Sequence, residues 1–184
     1  MEKAPELTTY SIGLEELALA LGLVNALARS RELLESLYPE DPQELTAARL
    51  ASAGHSLLAG GLCRLGETGS LLLEADFEQA IFPLVKYDSF INVQTDSPNG
   101  GAGFSVSLSR DGFTSRVVHS GAVQVLTHGT VKDLPAHLAS LLTEFGEGSR
   151  ARALEHGLTA ALLKELTGKD APALGKLLGA SGWP

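Results

Sequence analysis

The stretch Phe104-Ser105-Val106-Ser107-Leu108-Ser109 alternates apolar and hydroxyl side chains without a break. Successive side chains on a strand point to opposite faces, so this run predicts a strand with one apolar and one small polar face. Working outward, residues 90–95 predict a preceding strand, joined to it through the turn cluster Ser97-Pro98-Asn99-Gly100-Gly101. Downstream, Asp111-Gly112 turns the chain into a strand over 113–119, and Ser120-Gly121 turns it into another over 122–128. These four strands are expected to form an antiparallel meander. Its apolar face should pack on helices, while Ser105, Ser107, Ser109, Arg116 and Gln124 should face outward.

Helical patterns lie on both sides of this sheet. Ser11 is placed to cap a helix over 13–21, with Leu14, Leu17, Ala18 and Leu21 on one face. A second helix is predicted over 26–37; Tyr38-Pro39 ends it, because the residue before proline avoids helical backbone. A third, over 42–60, has Asp41 as N-cap and Pro42 in its first turn. It closes at Gly60-Gly61, where glycine can take the left-handed cap conformation. Residues 62–65 and 70–73 read as a small hairpin about Gly66-Glu67-Thr68-Gly69. Three helices and a hairpin follow the order of a winged helix-turn-helix. A short helix over 75–86 contains Pro83.

Beyond the sheet, helices are predicted over 133–145 and 149–166. A last short one carries Leu174, Leu177 and Leu178 ahead of Trp183. The fold class is therefore α+β, in a single domain over 1–184. A helical, winged-helix-like part (8–74) precedes the four-stranded antiparallel meander (75–129), and C-terminal helices (130–184) cover one sheet face.

Composition narrows the function. The chain has 184 residues, 44% hydrophobic but only 5% aromatic, so its core must be mainly aliphatic. It carries 22 acidic against 14 basic residues, a net charge of −8. Such a chain repels phosphate backbones unless its cations cluster, and no Lys/Arg-rich run is present. Cys63 is the one cysteine, which rules out an intramolecular disulfide and fits a reducing compartment. The first residues lack the basic start and apolar run of a signal peptide, and no apolar stretch reaches the ~20 residues of a membrane span. A cytoplasmic chain without membrane contact is expected.

The chemistry-bearing residues are scattered. His119 and His128 share one hairpin, but if Ser120-Gly121 is a two-residue turn, His119 pairs with Ala122 and His128 lies beside Phe113. At roughly 3.3 Å per residue the two rings are then about 20 Å apart, too far for one metal ion. His55, His137 and His156 have no His or Cys three or four residues away, as zinc spacing would require. Cys63 would need an imidazole beside it to act as a nucleophile and reads as a small buried hydrophobe. No Gly-x-Ser-x-Gly elbow occurs, and the glycine-rich run 99–103 precedes a strand where a phosphate loop would open a helix. No catalytic, cofactor-binding or metal-ligating residue is assigned, and no cofactor is expected.

Two features point to a macromolecular partner. The small, nearly uncharged sheet face of Ser105, Ser107, Ser109, Arg116 and Gln124 would allow close approach of another surface. The amphipathic segment with Leu174, Leu177, Leu178 and Trp183 carries an aromatic of a type enriched at binding hot spots. A winged-helix reading makes 42–60 the recognition helix. That helix holds one arginine, Arg49, where DNA readers present several cations and amides.

The order of elements resembles the EspG-type chaperones of bacterial type VII secretion. The resemblance runs through Leu14-Glu15-Glu16-Leu17, the helix ending Leu57-Leu58-Ala59-Gly60-Gly61-Leu62, the meander, and the helix around Leu134 to Leu142. It implies a quasi-symmetric α+β fold and a non-enzymatic role holding a partner protein. The expected function is thus a non-enzymatic protein-interaction or chaperone-like module, with a protein partner or a second copy of the chain. The alternatives are an acidic winged-helix regulator, and a small-ligand binder or enzyme with a site assembled only by folding.

Overall fold

The computed structural model describes residues 7–40, 43–95, 102–119, 123–146 and 151–154. Their order is β1 (Thr8–Gly13), α1 (Leu14–Leu23), α2 (Leu27–Leu37), α3 (Gln43–Ala59), β2 (Cys63–Leu65), β3 (Leu71–Leu73) and α4 (Ala75–Val85). There follow β4 (Ser89–Thr95), β5 (Ala102–Leu108), β6 (Phe113–His119), β7 (Val123–Gly129), α5 (Leu134–Gly146) and β8 (Ala151–Leu154). The fold is mixed α+β. In the main sheet β1, β7, β6, β5 and β4 lie side by side, each antiparallel to its neighbour, and β8 adds a sixth strand along β4. β2 and β3 form a separate two-stranded hairpin.

Six strands replace the four expected. Ser11 does not cap a helix; it lies in β1, opposite Val125 of β7. Tyr10 and Ile12 alternate with exposed Thr9 and Ser11, and the open edge of β7 recruits this pattern into the sheet. The N-cap of α1 is instead Gly13, whose N–H donates to the Glu16 carboxylate. Residues 151–154, expected to open a helix, pair with β4 as β8. Unpaired backbone groups at a sheet edge can override a local helical preference. The expected last helix, with Leu174, Leu177, Leu178 and Trp183, falls outside the described residues, as do the cap Asp41-Pro42 and the turn cluster 97–101.

The β6–β7 register also differs by one residue. His119 pairs with Val123, not Ala122, and His128 sits opposite Thr114, not Phe113. One residue of register decides which face a side chain occupies. In the observed register Val118 pairs with Gln124 and Arg116 with Leu126, so Gln124 and Arg116 share a face.

The two faces differ in chemistry, and both are covered. On one, Val93, Phe104, Val106, Leu108, Phe113 and Val117 pack against Leu134, Leu138 and Leu141 of α5. The other carries Ser105, Ser107, Thr114, Arg116, Gln124, Leu126 and His128, and α4 and α1 lie on it. There Leu17, Leu21, Phe77 and Ile81 pack with Ile12 and Leu126, and Cys63, Leu57 and Leu73 extend the cluster outward. The Tyr10 ring meets Phe77 at 5.0 Å between centroids. The fully buried Thr114 hydroxyl donates to the Ala80 carbonyl of α4 at 2.7 Å. The polar face expected to look outward is therefore roofed by the N-terminal helices. The chain leaves the sheet from β1 at one edge and returns as β4 near the other, so the intervening helices fold across it.

Gly61 ends α3 with φ +67°. Its N–H reaches the Leu58 carbonyl at 3.1 Å, and the Leu62 N–H reaches the Leu57 carbonyl at 2.9 Å. This pair of bonds satisfies orphan carbonyls at the helix end. A Cβ at Gly61 would meet nothing within 4 Å, so the restriction is one of backbone alone. Gly61→Ala is expected to lower stability by about 1–2 kcal/mol, the strain of left-handed backbone in a residue with a Cβ. Urea denaturation measures this, and Gly61→Asn should recover part of the loss.

Candidate functional site

A groove of about 440 Å3 lies where the helical roof leaves the sheet partly uncovered. Its floor is the polar face: Ser105 and Ser107 of β5 and Arg116 of β6. Arg116 stands directly across the ladder from Ser105. Leu17 and Leu21 of α1 form one wall, and Arg29, Glu32 and Leu33 of α2 form another. Leu84, Tyr87 and Phe90 close it from the end of α4 and the start of β4. The walls follow from helical spacing, since Leu17 and Leu21 lie one turn apart on the inward stripe of α1.

The wall is held by specific contacts. Arg29 donates to the Leu84 carbonyl, and its guanidinium lies 5.1 Å from the centroid of the Tyr87 ring. Tyr87 in turn meets Phe90 at 5.5 Å between centroids. Arg29 thus fastens α2 to the end of α4 and has its charge engaged there.

Arg116 is in a different position. Its Nε is buried and has no hydrogen-bond partner. Among the described residues no carboxylate lies within ion-pair distance of it. Removal from water pulls its pKa down, and no neighbouring charge opposes that shift. A guanidinium keeps its proton under all ordinary conditions, so the floor of the groove holds a half-buried cation with no ion pair among the described residues. On the same face Gln124 is 0% exposed, and neither its Oε1 nor its Nε2 finds a partner.

Of the residues expected to form a partner surface, Ser105, Ser107 and Arg116 come together in this groove. Ser107 is 2% exposed, so it is no open contact surface. Gln124 shares their face but does not line the groove. Ser109 is not part of it; its hydroxyl donates to the Gly112 carbonyl at 3.1 Å in the β5–β6 turn. Leu174, Leu177, Leu178 and Trp183 lie outside the described residues. Arg29, Tyr87 and Phe90 were not expected at a site. Tyr87 and Phe90 border a strand start, and Arg29 interrupts the leucine pattern of α2, but only the fold brings them to Arg116.

Other polar clusters are internally satisfied. A cleft of about 380 Å3 between the start of α1 and α3 is lined by Glu15, Glu16, Arg49, Ser52 and Ser56. Arg49 pairs with Glu15 at 3.8 Å, and Tyr38 donates to the same carboxylate. Ser115 lies 2.7 Å from His137 Nε2, a serine–imidazole distance suited to nucleophile activation. Ser115 is only 1% exposed, however, and Phe113 stacks on the imidazole at 5.3 Å. Substrate has no approach to that hydroxyl. Cys63 is buried among apolar neighbours, and burial, aided by Glu74, pushes its thiol pKa up. A protonated thiol is a poor nucleophile. Among the described residues no three His, Cys, Asp or Glu side chains converge to hold a metal ion. No helix among them is long and apolar enough to cross a membrane.

No protein-family model matches the chain, and no curated protein matches it. The geometry of the groove is therefore the basis for any functional reading.

The half-buried histidines His128 and His137 give the fold a pH dependence. Burial pushes the pKa of His137 down from 6.5; it does the same to His128, where a backbone hydrogen bond at Phe113 partly opposes it. Unfolding returns both rings to the ordinary value, so the unfolded chain binds protons that the folded chain resists. The stability contributed by the neutral rings is full above pH 6.5 and is lost as pH falls through their lowered folded values. Urea midpoints are expected to drop on acidification from about pH 7.5 to about pH 5. His137→Gln should flatten that slope; an unchanged slope would assign it to other groups.

Proposed function

We propose that this protein is a non-enzymatic binding module and that the groove floored by Arg116 is where it holds a ligand. The observation that carries this reading is the half-buried Arg116, whose Nε is out of water without a hydrogen-bond partner and which has no carboxylate in ion-pair range among the described residues. A buried unpaired charge destabilises the free fold. Such unfavourable arrangements tend to gather at ligand sites, where the bound group relieves them. A non-catalytic role is supported by the sealed Ser115–His137 pair and the protonated Cys63.

The element order that resembles the EspG-type chaperones accords with a holding role. A protein partner, or a second copy of the chain, would meet the β2–β3 hairpin, whose residues do not line the groove. The hairpin presents Leu65 at 60% and Leu72 at 40% exposure, apolar surface of the kind that marks contact sites. Residues 14–73 also keep the three-helix-and-hairpin order of a winged-helix scaffold. On that reading α3 would face DNA with Arg49, whose guanidinium already lies 3.8 Å from the Tyr38 ring centroid and pairs with Glu15. Without a free cation there, phosphate contact has little to draw on.

The test is a stability comparison on protein stripped of ligand by unfolding and refolding. Arg116→Met keeps the apolar stem and removes the charge. If Arg116 is held ready for a ligand, the variant should be more stable, melting about 2–4 °C higher for roughly 1 kcal/mol. A loss of stability would make Arg116 a structural residue and overturn the reading.

A further inference from the structure

From the groove's chemistry we infer that its occupant is a small amphiphilic carboxylate, its head on Arg116 and its aliphatic body along Leu17, Leu21, Leu33 and Leu84. This rests on the groove being the binding element.

Charge sets the head group. The groove contains two cations, Arg29 and Arg116, and one anion, Glu32, a net of +1 in a chain of net −8. Arg29 is held at the wall by the Leu84 carbonyl and Tyr87, so Arg116 is the cation that the floor presents. One monoanion neutralises it, whereas a phosphate monoester at roughly −1.5 to −2 would leave an excess negative charge beside Glu32. The planar guanidinium presents parallel donors that match the two oxygens of a carboxylate. Ser105, directly opposite Arg116, and Ser107, two residues along the same face, place hydroxyl groups beside that head. Residues paired across a ladder have Cβ atoms about 5 Å apart, within reach of one bound carboxylate.

Size and walls set the body. About 440 Å3 falls within the roughly 300–1,000 Å3 of small-molecule sites, which are mostly apolar with a few placed polar groups. The leucines of α1, α2 and α4 supply the apolar part, and they stand across the groove from the polar floor. A molecule with one charged end and one aliphatic end satisfies both sides at once.

Isothermal titration with sodium octanoate, 1-octanol and octyl phosphate tests this, using wild-type protein, Arg116→Met and Leu33→Trp. Leu33→Trp adds bulk to the apolar α2 wall and leaves the Arg116 side chain in place. Octanoate should bind saturably to wild type. It should weaken at least about tenfold in Arg116→Met, the effect of losing a charge-assisted bidentate contact, and be abolished by Leu33→Trp. Octanol binding that equals octanoate, survives Arg116→Met and is lost in Leu33→Trp would overturn the carboxylate assignment and leave the groove as the binding element. Tighter, Arg116-dependent binding of octyl phosphate would overturn it in favour of a dianionic head. No binding by any probe, or binding indifferent to both substitutions, would overturn this inference and the groove reading together. Thermal melts of each variant confirm folding, and Leu84→Phe replaces Leu33→Trp if the latter does not fold.

Discussion

The pairing of β1 with β7 is the constraint from which the rest of this architecture follows. It joins residues 8–13 to residues 123–128, so its loop spans more than half the chain. Everything between β1 and β4 is carried by that junction onto one face of the sheet. Tyr10 against Phe77 and Thr114 against the Ala80 carbonyl then fix how α4 settles there. Closing so long a loop carries an entropic cost, but that cost grows only slowly with length. The aliphatic cluster around Ile12, Leu17, Leu126 and Ile81 offsets it by removing apolar surface from water.

The same junction creates the site. A polar sheet face left open would be an ordinary solvated surface, and Arg116 would carry its charge in water. With α1, α2 and α4 laid across it, the Arg116 Nε and both polar atoms of the Gln124 side chain lose water without gaining partners. The opposite face shows what a settled layer looks like: α5 lays Leu134, Leu138 and Leu141 onto an apolar surface, and its half-buried His137 is hydrogen-bonded. The asymmetry between a satisfied face and an unsatisfied one is the strongest functional signal in the molecule.

Much of the architecture was legible in residue pattern, and particular residues show where legibility ended. The alternation of Phe104, Val106 and Leu108 with serines identified β5 because both its faces are buried differently. Gly61 marked the end of α3 because only glycine takes that backbone readily. β1 was missed because Thr8-Thr9-Tyr10-Ser11-Ile12-Gly13 lies beside a strong helical stripe, and Ser11 read as its cap. Its strand character comes from β7, far away in sequence. β8 was missed for the same reason, its partner edge being set by β4. The groove could not be read because Arg29, Ser105 and Arg116 come from three separate elements and Tyr87 from the α4–β4 connection. The polar face itself was read, but whether it met water or a helix depended on where the N-terminal layer landed.

The Ser115–His137 bond has a role in geometry more than in strength. Leucines on a helix and aliphatic residues on a sheet attract without much regard to direction. A helix bearing Leu134, Leu138 and Leu141 could therefore slide by one turn with little change in apolar contact. A hydrogen bond between one serine and one ring nitrogen, with Phe113 stacked on that ring, favours one placement. That single polar peg among apolar neighbours gives α5 an address on the sheet.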